Sequence, residues 1–112
     1  MSSPAFDDRD GSIWFDGELI DFRSAKIHVL SHGLHYASAV FEGERVYNGK
    51  IFKSAEHTER LHKSAGTVGY AIPYSTEVIE KAKADVVKSM GFQDGYVPVS
   101  YTHLTLPTNR EV

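Results

Sequence analysis

Apolar and polar positions alternate in short blocks over the first half of the chain and recur at helical spacing over the second half. Ile13, Trp14 and Phe15 run into Asp16-Gly17 and then into Glu18-Leu19-Ile20-Asp21-Phe22. Asp-Gly supplies the positive φ angles of a two-residue hairpin turn, so this stretch predicts a hairpin. A second hairpin follows, with a strand over 40–47, a turn at Asn48-Gly49 and a return through Lys50-Ile51-Phe52. Two such turns predict an antiparallel meander. Ser54 then reads as a helix N-cap, with Glu56 in the first turn favoured by the helix dipole. Thr58, Leu61, Ala65 and Val68 keep helical spacing, and Gly69 fits the left-handed residue just past a helix end. Pro73 bars continuation. Ser75 or Thr76 caps a second helix, whose stripe is Ile79, Ala82, Val86 and Met90 and which Gly91 ends. Tyr96-Val97 opens another apolar run. Strands, two helices and a strand in this order predict an α+β domain, an antiparallel sheet with two helices packed on one face.

The strand over 40–47 lies in the segment SHGLHYASAVFEGERVYNG and carries charge on both faces. Alternation puts Phe41, Gly43, Arg45 and Tyr47 on one face and Val40, Glu42, Glu44 and Val46 on the other. The first combines two aromatics, a cation and a glycine that leaves room beside them. It suits the wall of a small-ligand pocket, and equally a half-exposed strand with solvated charges. His32 and His35 are three apart, but no third ligand follows at a metal-site spacing, and the segment reads as a turn before a strand. His57-Thr58-Glu59-Arg60-Leu61-His62 is not the His-Glu-x-x-His zinc motif. No metal site is expected. Arg60 falls about 100° round the helix from Leu61, at the edge of the buried stripe. Its stem can pack while its planar fork of donors reaches an anion such as phosphate. The spacing equally allows a surface pair with Glu56, four residues earlier.

Composition narrows the partners. The 112 residues suffice for one small domain, and 41% hydrophobic with 24% charged residues is ordinary globular usage. A formal net charge of -3 offers no basic field to nucleic acid or an anionic membrane. The absence of cysteine excludes disulfides and thiolate metal sites and suits a cytoplasmic protein. There is no apolar run of about 18 residues to span a bilayer. The acidic opening MSSPAFDDRDG has no signal-peptide core and reads as a flexible lead-in over residues 1–10.

The run SHGLHYASAVFEGERVYNGKIFKSAEHTERLHKSA, with IWFDGELIDFRSAKIHVLSH before it and the region through GFQDGYV after it, closely resembles the N-terminal small domain of branched-chain amino acid aminotransferases. These are class IV (fold type IV) pyridoxal-phosphate enzymes. The resemblance covers roughly residues 10 to 97 and implies roles by position. Arg60 matches the arginine that holds the phosphate of pyridoxal 5'-phosphate. Tyr36 matches a pocket tyrosine contributed across a dimer interface. Phe41 and Gly43 match residues lining the branched side-chain pocket, and Tyr96 matches another pocket aromatic. The implied substrates are branched-chain amino acids and 2-oxo acids, and the implied assembly is a homo-oligomer, at least a dimer.

The pattern stops near Pro98. In the family a Tyr-x-Arg-Pro strand follows the second helix, and its arginine binds the substrate carboxylate; here Tyr96-Val97 runs straight into Pro98. The domain is therefore expected over residues 11–97, with residues 98–112 a foreign-looking, unstructured tail. None of the lysines, from Lys26 to Lys88, stands in the family's context for the lysine that attaches the cofactor, so no catalytic residue is assigned and the chain alone is expected to be inactive. The rival expectations are another class IV enzyme, such as a D-amino acid aminotransferase, and a binding or interaction module without chemistry.

Overall fold

The computed structural model describes residues 5–91 and 93–102. Its elements run β1 (Ser12–Phe15), β2 (Glu18–Asp21), a 3-10 turn (Phe22–Ser24), α1 (His32–His35), β3 (Ala39–Tyr47), β4 (Lys50–Ile51), α2 (Ser54–Thr67), α3 (Thr76–Met90) and β5 (Gly95–Thr102). Both turn predictions hold. Asp16-Gly17 and Asn48-Gly49 have positive φ at both positions, and each joins antiparallel strands. The meander does not form, because the hairpins belong to separate sheets: β1-β2 is a two-stranded ribbon, and β4-β3-β5 a three-stranded sheet.

Burial along β3 alternates strictly. Val40, Glu42, Glu44 and Val46 face inward, and the residues between them face out. Both helices cover this inner face. Val40 packs with Leu61 and Ala65 of α2, Ile79 of α3 and Tyr70. At the other end Val46 packs with Val87 of α3 and Val97 of β5. The buried stripe of α3 is thus Ile79, Ala82, Lys83 and Val87; Met90 lies outside it and meets the β1-β2 ribbon, where its sulfur accepts from Ser12 N at 3.4 Å. Trp14 and Tyr74 stack edge to face beside this contact, and Tyr74 Oη donates to Asp16 Oδ1 at 2.6 Å.

The caps divide. Ser75 caps α3 by accepting from Val78 N, and Gly91 ends it at φ 71°. Ser54, by contrast, is the first residue of α2 and not its cap; Lys53 takes the cap position at φ 57°. The Ser54 hydroxyl instead donates to Glu80 Oε1 at 2.8 Å, a tertiary partner that displaces the local one. The lead-in is pinned in part, since Arg23 lies 2.7 Å from both Asp8 and Asp10 on the exposed surface.

The boundary expected at Val97 is too early. β5 continues through Pro98 to Thr102 and pairs with β3 from Gly95 opposite Val46 to Thr102 opposite Ala39. Pro98 is accommodated because β5 lies at the sheet edge, where a strand tolerates a missing donor. Val99 and Tyr101 pack on the core, and Thr102 Oγ1 accepts from Gly33 N at 2.6 Å and donates to Ser38 O at 2.9 Å. The expectation for the remainder of the tail falls outside the described residues.

Candidate functional site

The sheet separates the residues singled out from the sequence into two groups. Phe41 and Gly43 lie on the outward face of β3, and Tyr96 stands on the neighbouring β5 opposite Arg45. Phe41 is 69% exposed and Tyr96 54%. The Tyr96 ring lies across Gly43: a Cβ there would fall 2.6 Å from its hydroxyl, so the glycine makes room for the aromatic. Tyr36 follows α1, which is anchored at the Ala39–Thr102 end of the same face through Gly33; it is also exposed, edge-on to His32 and His35. Among the described residues, Phe41 and Tyr96 flank Gly43 on an exposed, shallow surface, with Tyr36 beyond its Ala39–Thr102 end. Arg45 and Tyr47 extend it, with the guanidinium 5.7 Å from the ring centroid.

Arg60 stands on α2, which covers the opposite face. Glu56 is not its partner. Its Nε donates to Glu42 Oε2 at 2.8 Å and its Nη2 to Glu42 Oε1 at 2.7 Å, a bidentate pair. His57 Nδ1 reaches the same Oε1 at 2.6 Å. The Glu42 side chain is 5% exposed, whereas that of Arg60 is 66% exposed. The carboxyl pKa falls to about 2, chiefly through the Arg60 hydrogen bond; burial opposes the shift and His57 assists it. Among the described residues, Arg60 Nη1 has no protein partner. An open groove beside it is lined by Lys53, Glu56, His57, Glu59, Arg60 and Lys63, so cations prevail over carboxylates there.

The sequence reading gave Glu42 and His57 no role. Alternation already placed Glu42 on the face of Val40 and Val46, but its partners lie 15 and 18 residues away. Such contacts have no local signature. His32 is buried beside Tyr36 and Tyr70, and among the described residues no group of three or more metal-ligating side chains assembles.

A family model described as amino-transferase class IV matches residues 39–109, and the chain belongs to that family. The match runs beyond Val97 and so includes part of the tail read as foreign. A probable branched-chain-amino-acid aminotransferase of Rickettsia felis is 52% identical over 85 residues, which are 76% of this chain and 29% of that protein. The branched-chain aminotransferase of Thermoproteus uzoniensis with norvaline superposes with a TM-score of 0.78 at 34% identity, covering 89% of this chain and 37% of the other. A further solved branched-chain amino acid aminotransferase, complexed with N-(5'-phosphopyridoxyl)-L-glutamate, gives 0.77 at 36% identity, covering 82% and 33%. The chain thus spans 29% to 37% of the length of these relatives. The fold is that of the α+β small domain of fold type IV aminotransferases.

Class IV aminotransferases depend on pyridoxal phosphate. The donor set at Arg60 fits the phosphate end of that group: a guanidinium held from behind, with unused donors beside Lys53 and Lys63.

Proposed function

We propose that this chain is the N-terminal part of a branched-chain amino acid aminotransferase. In the whole enzyme the α-amino group of leucine, isoleucine or valine passes to 2-oxoglutarate. Arg60 anchors the phosphate of pyridoxal 5'-phosphate, while Phe41, Gly43 and Tyr96 contribute an apolar wall for the branched side chain and Tyr36 serves the same pocket in a second subunit of a homodimer. When bound, the cofactor supplies the electron sink for the reaction. What this chain's own residues do is bind and orient: a buried carboxylate fixes the phosphate-binding cation, and Gly43 makes room for the hydroxyl end of the Tyr96 ring over the strand.

The observation that carries the reading is the bidentate Glu42–Arg60 pair with donors left over, on a chain whose relatives bear the branched-chain name. Arg60 and the aromatic surface lie on opposite sides of the sheet, and the position where the family places its carboxylate-binding arginine holds Pro98. Further walls are therefore needed to join the two halves of the site.

The test is amino-group transfer by the complete product of the gene that encodes this chain, supplied with pyridoxal 5'-phosphate and 2-oxoglutarate. Turnover with L-leucine, L-isoleucine and L-valine is expected. Preference for D-alanine would favour a D-amino acid aminotransferase, and no transfer from any amino acid would favour an interaction module.

A further inference from the structure

We infer that Glu42, buttressed by His57, is a positioning residue that holds the Arg60 guanidinium side-on, so that a phosphomonoester docks end-on against Nη1 and Nη2. The inference deepens the proposed function and rests on its reading of Arg60 as a phosphate anchor.

A guanidinium offers two edges for bidentate contact, the Nε–Nη side and the Nη1–Nη2 end. Glu42 occupies the side edge completely, through Nε at 2.8 Å and Nη2 at 2.7 Å. What remains is Nη1 and the outer hydrogen of Nη2. Arginine on a helix surface is otherwise rich in rotamers, and fixing one on binding weakens affinity. Here the fixing is done in advance by a carboxylate that is itself buried on the inward face of β3 and held by His57 as well. Glu42 also carries a charge that opposes an incoming anion. That opposition is offset on the spot, since the same carboxylate is paired with the Arg60 guanidinium, and Lys53 and Lys63 line the groove outside. Glu56 and Glu59 are the carboxylates that share the groove. Held orientation therefore outweighs the lost charge, and the site accepts a phosphate in one direction only.

The experiment uses the 112-residue chain and two probes that differ only in the phosphate, pyridoxamine 5'-phosphate and pyridoxamine, titrated by NMR. The ratio of their affinities isolates the phosphate contact. Arg60→Ala tests the underlying reading: it should bring the ratio to that of free solution contacts, and an unchanged ratio would remove the phosphate reading and this inference together. Glu42→Gln keeps the shape without the charge, and Glu42→Asp keeps the charge but shortens the reach. Both should lower the ratio by about two- to tenfold, the worth of one pre-ordered side chain. If Arg60→Ala collapses the ratio while Glu42→Gln and Glu42→Asp leave it as in the parent chain or raise it, the positioning role alone is overturned. A loss with Glu42→Gln that Glu42→Asp restores would make the role one of charge and overturn it too. The unsubstituted chain gives a reading free of folding effects. Pyridoxamine 5'-phosphate should shift the Arg60 Nη resonances and leave Nε nearly still. Equal movement of Nε would show that Glu42 yields its edge and would contradict the end-on geometry.

Discussion

Glu42 and Glu44 stand two residues apart on the same inward face of β3, and each meets a cation from a covering helix, yet the two pairs differ in how fully the cation is used. Lys83 of α3 is 3% exposed and Glu44 1%. The Lys83 ammonium lies 2.8 Å from Glu44 Oε1, 2.6 Å from Thr58 Oγ1, 3.0 Å from Ser54 O and 3.2 Å from Glu80 Oε2, so every donor it has is spent. Thr58 Oγ1 in turn donates to Glu80. Arg60 has the same kind of partner but keeps donors in solvent. One strand thus carries a pair whose cation is fully used inside the protein, with Glu44 Oε1 in ion-pair contact but without a hydrogen bond, and a pair whose cation keeps donors suited to receive an anion. A buried ion pair is poor evidence of function when every donor is answered inside the protein. Donors left over beside a fixed guanidinium are better evidence.

The largest way to break the comparison is at the Lys83–Glu44 pair. Lys83→Ala leaves Glu44 buried with no cation, and it should destabilise the chain by about 3–5 kcal/mol in urea unfolding. Replacing both members, with Lys83→Met and Glu44→Leu together, should recover much of that loss, because the expense lies in an uncompensated charge and not in the absent pair. Arg60→Ala should destabilise far less, since the side chain it removes is largely in water and His57 stays on Glu42. Its main effect should be on binding, with pyridoxamine 5'-phosphate weakened about tenfold to a hundredfold relative to pyridoxamine.

Acid titration sharpens the same contrast. The folded Glu42 carboxyl is held near pKa 2, below its ordinary 4.5, by Arg60 and His57 against the effect of burial. A depressed carboxyl stabilises the fold above its unfolded pKa and loses that contribution as pH falls through the folded one. The stability difference between the parent chain and Arg60→Ala should therefore be full above about pH 4.5 and fade towards pH 2. Glu44 behaves in the opposite sense: burial raises its pKa, and the Lys83 hydrogen bond and charge only partly offset it. Glu80 again shifts down, since hydrogen bonds from Thr58, Ser54 and Lys83 outweigh its burial. Equal pH profiles for Glu42→Gln and Glu44→Gln would erase the distinction between the pairs.

The smallest effect is expected on the aromatic surface. Gly43→Ala places a methyl where the Tyr96 ring now lies, but that ring is half in solvent and can swing aside. Unfolding should shift by less than about 1 kcal/mol, while the Tyr96 ring resonances move.

These outcomes also mark what was legible in the chain. The hairpins were, because Asp16-Gly17 and Asn48-Gly49 need no distant partner to turn. The ends of α3 were, because Ser75 and Gly91 act on their own backbone. Alternation along β3 sorted its residues correctly into two faces, but it did not show which face is inside. Phe41 and Tyr47 are the more apolar pair, yet the glutamates are buried, since Arg60, His57 and Lys83 reach them from helices that alternation cannot see. The same distance hid the tertiary use of Ser54. The continuation of β5 had a local signal in Val97, Val99 and Tyr101 at every second position, which Pro98 obscured. For the site, the resemblance singled out Arg60, Tyr36, Phe41, Gly43 and Tyr96 as candidates, and the contact of Glu42 with Arg60 emerged only in three dimensions.

The two glutamate-bound cations differ in their freedom to take an anion. The most direct measurement is a pyridoxamine 5'-phosphate titration of the isotopically labelled chain, following the side chains of Arg60, His57, Lys63 and Lys83 by NMR. Saturable shifts are expected at Arg60, His57 and Lys63 and none at Lys83. A silent Arg60, or a Lys83 that moves as much as Arg60 does, would contradict this difference.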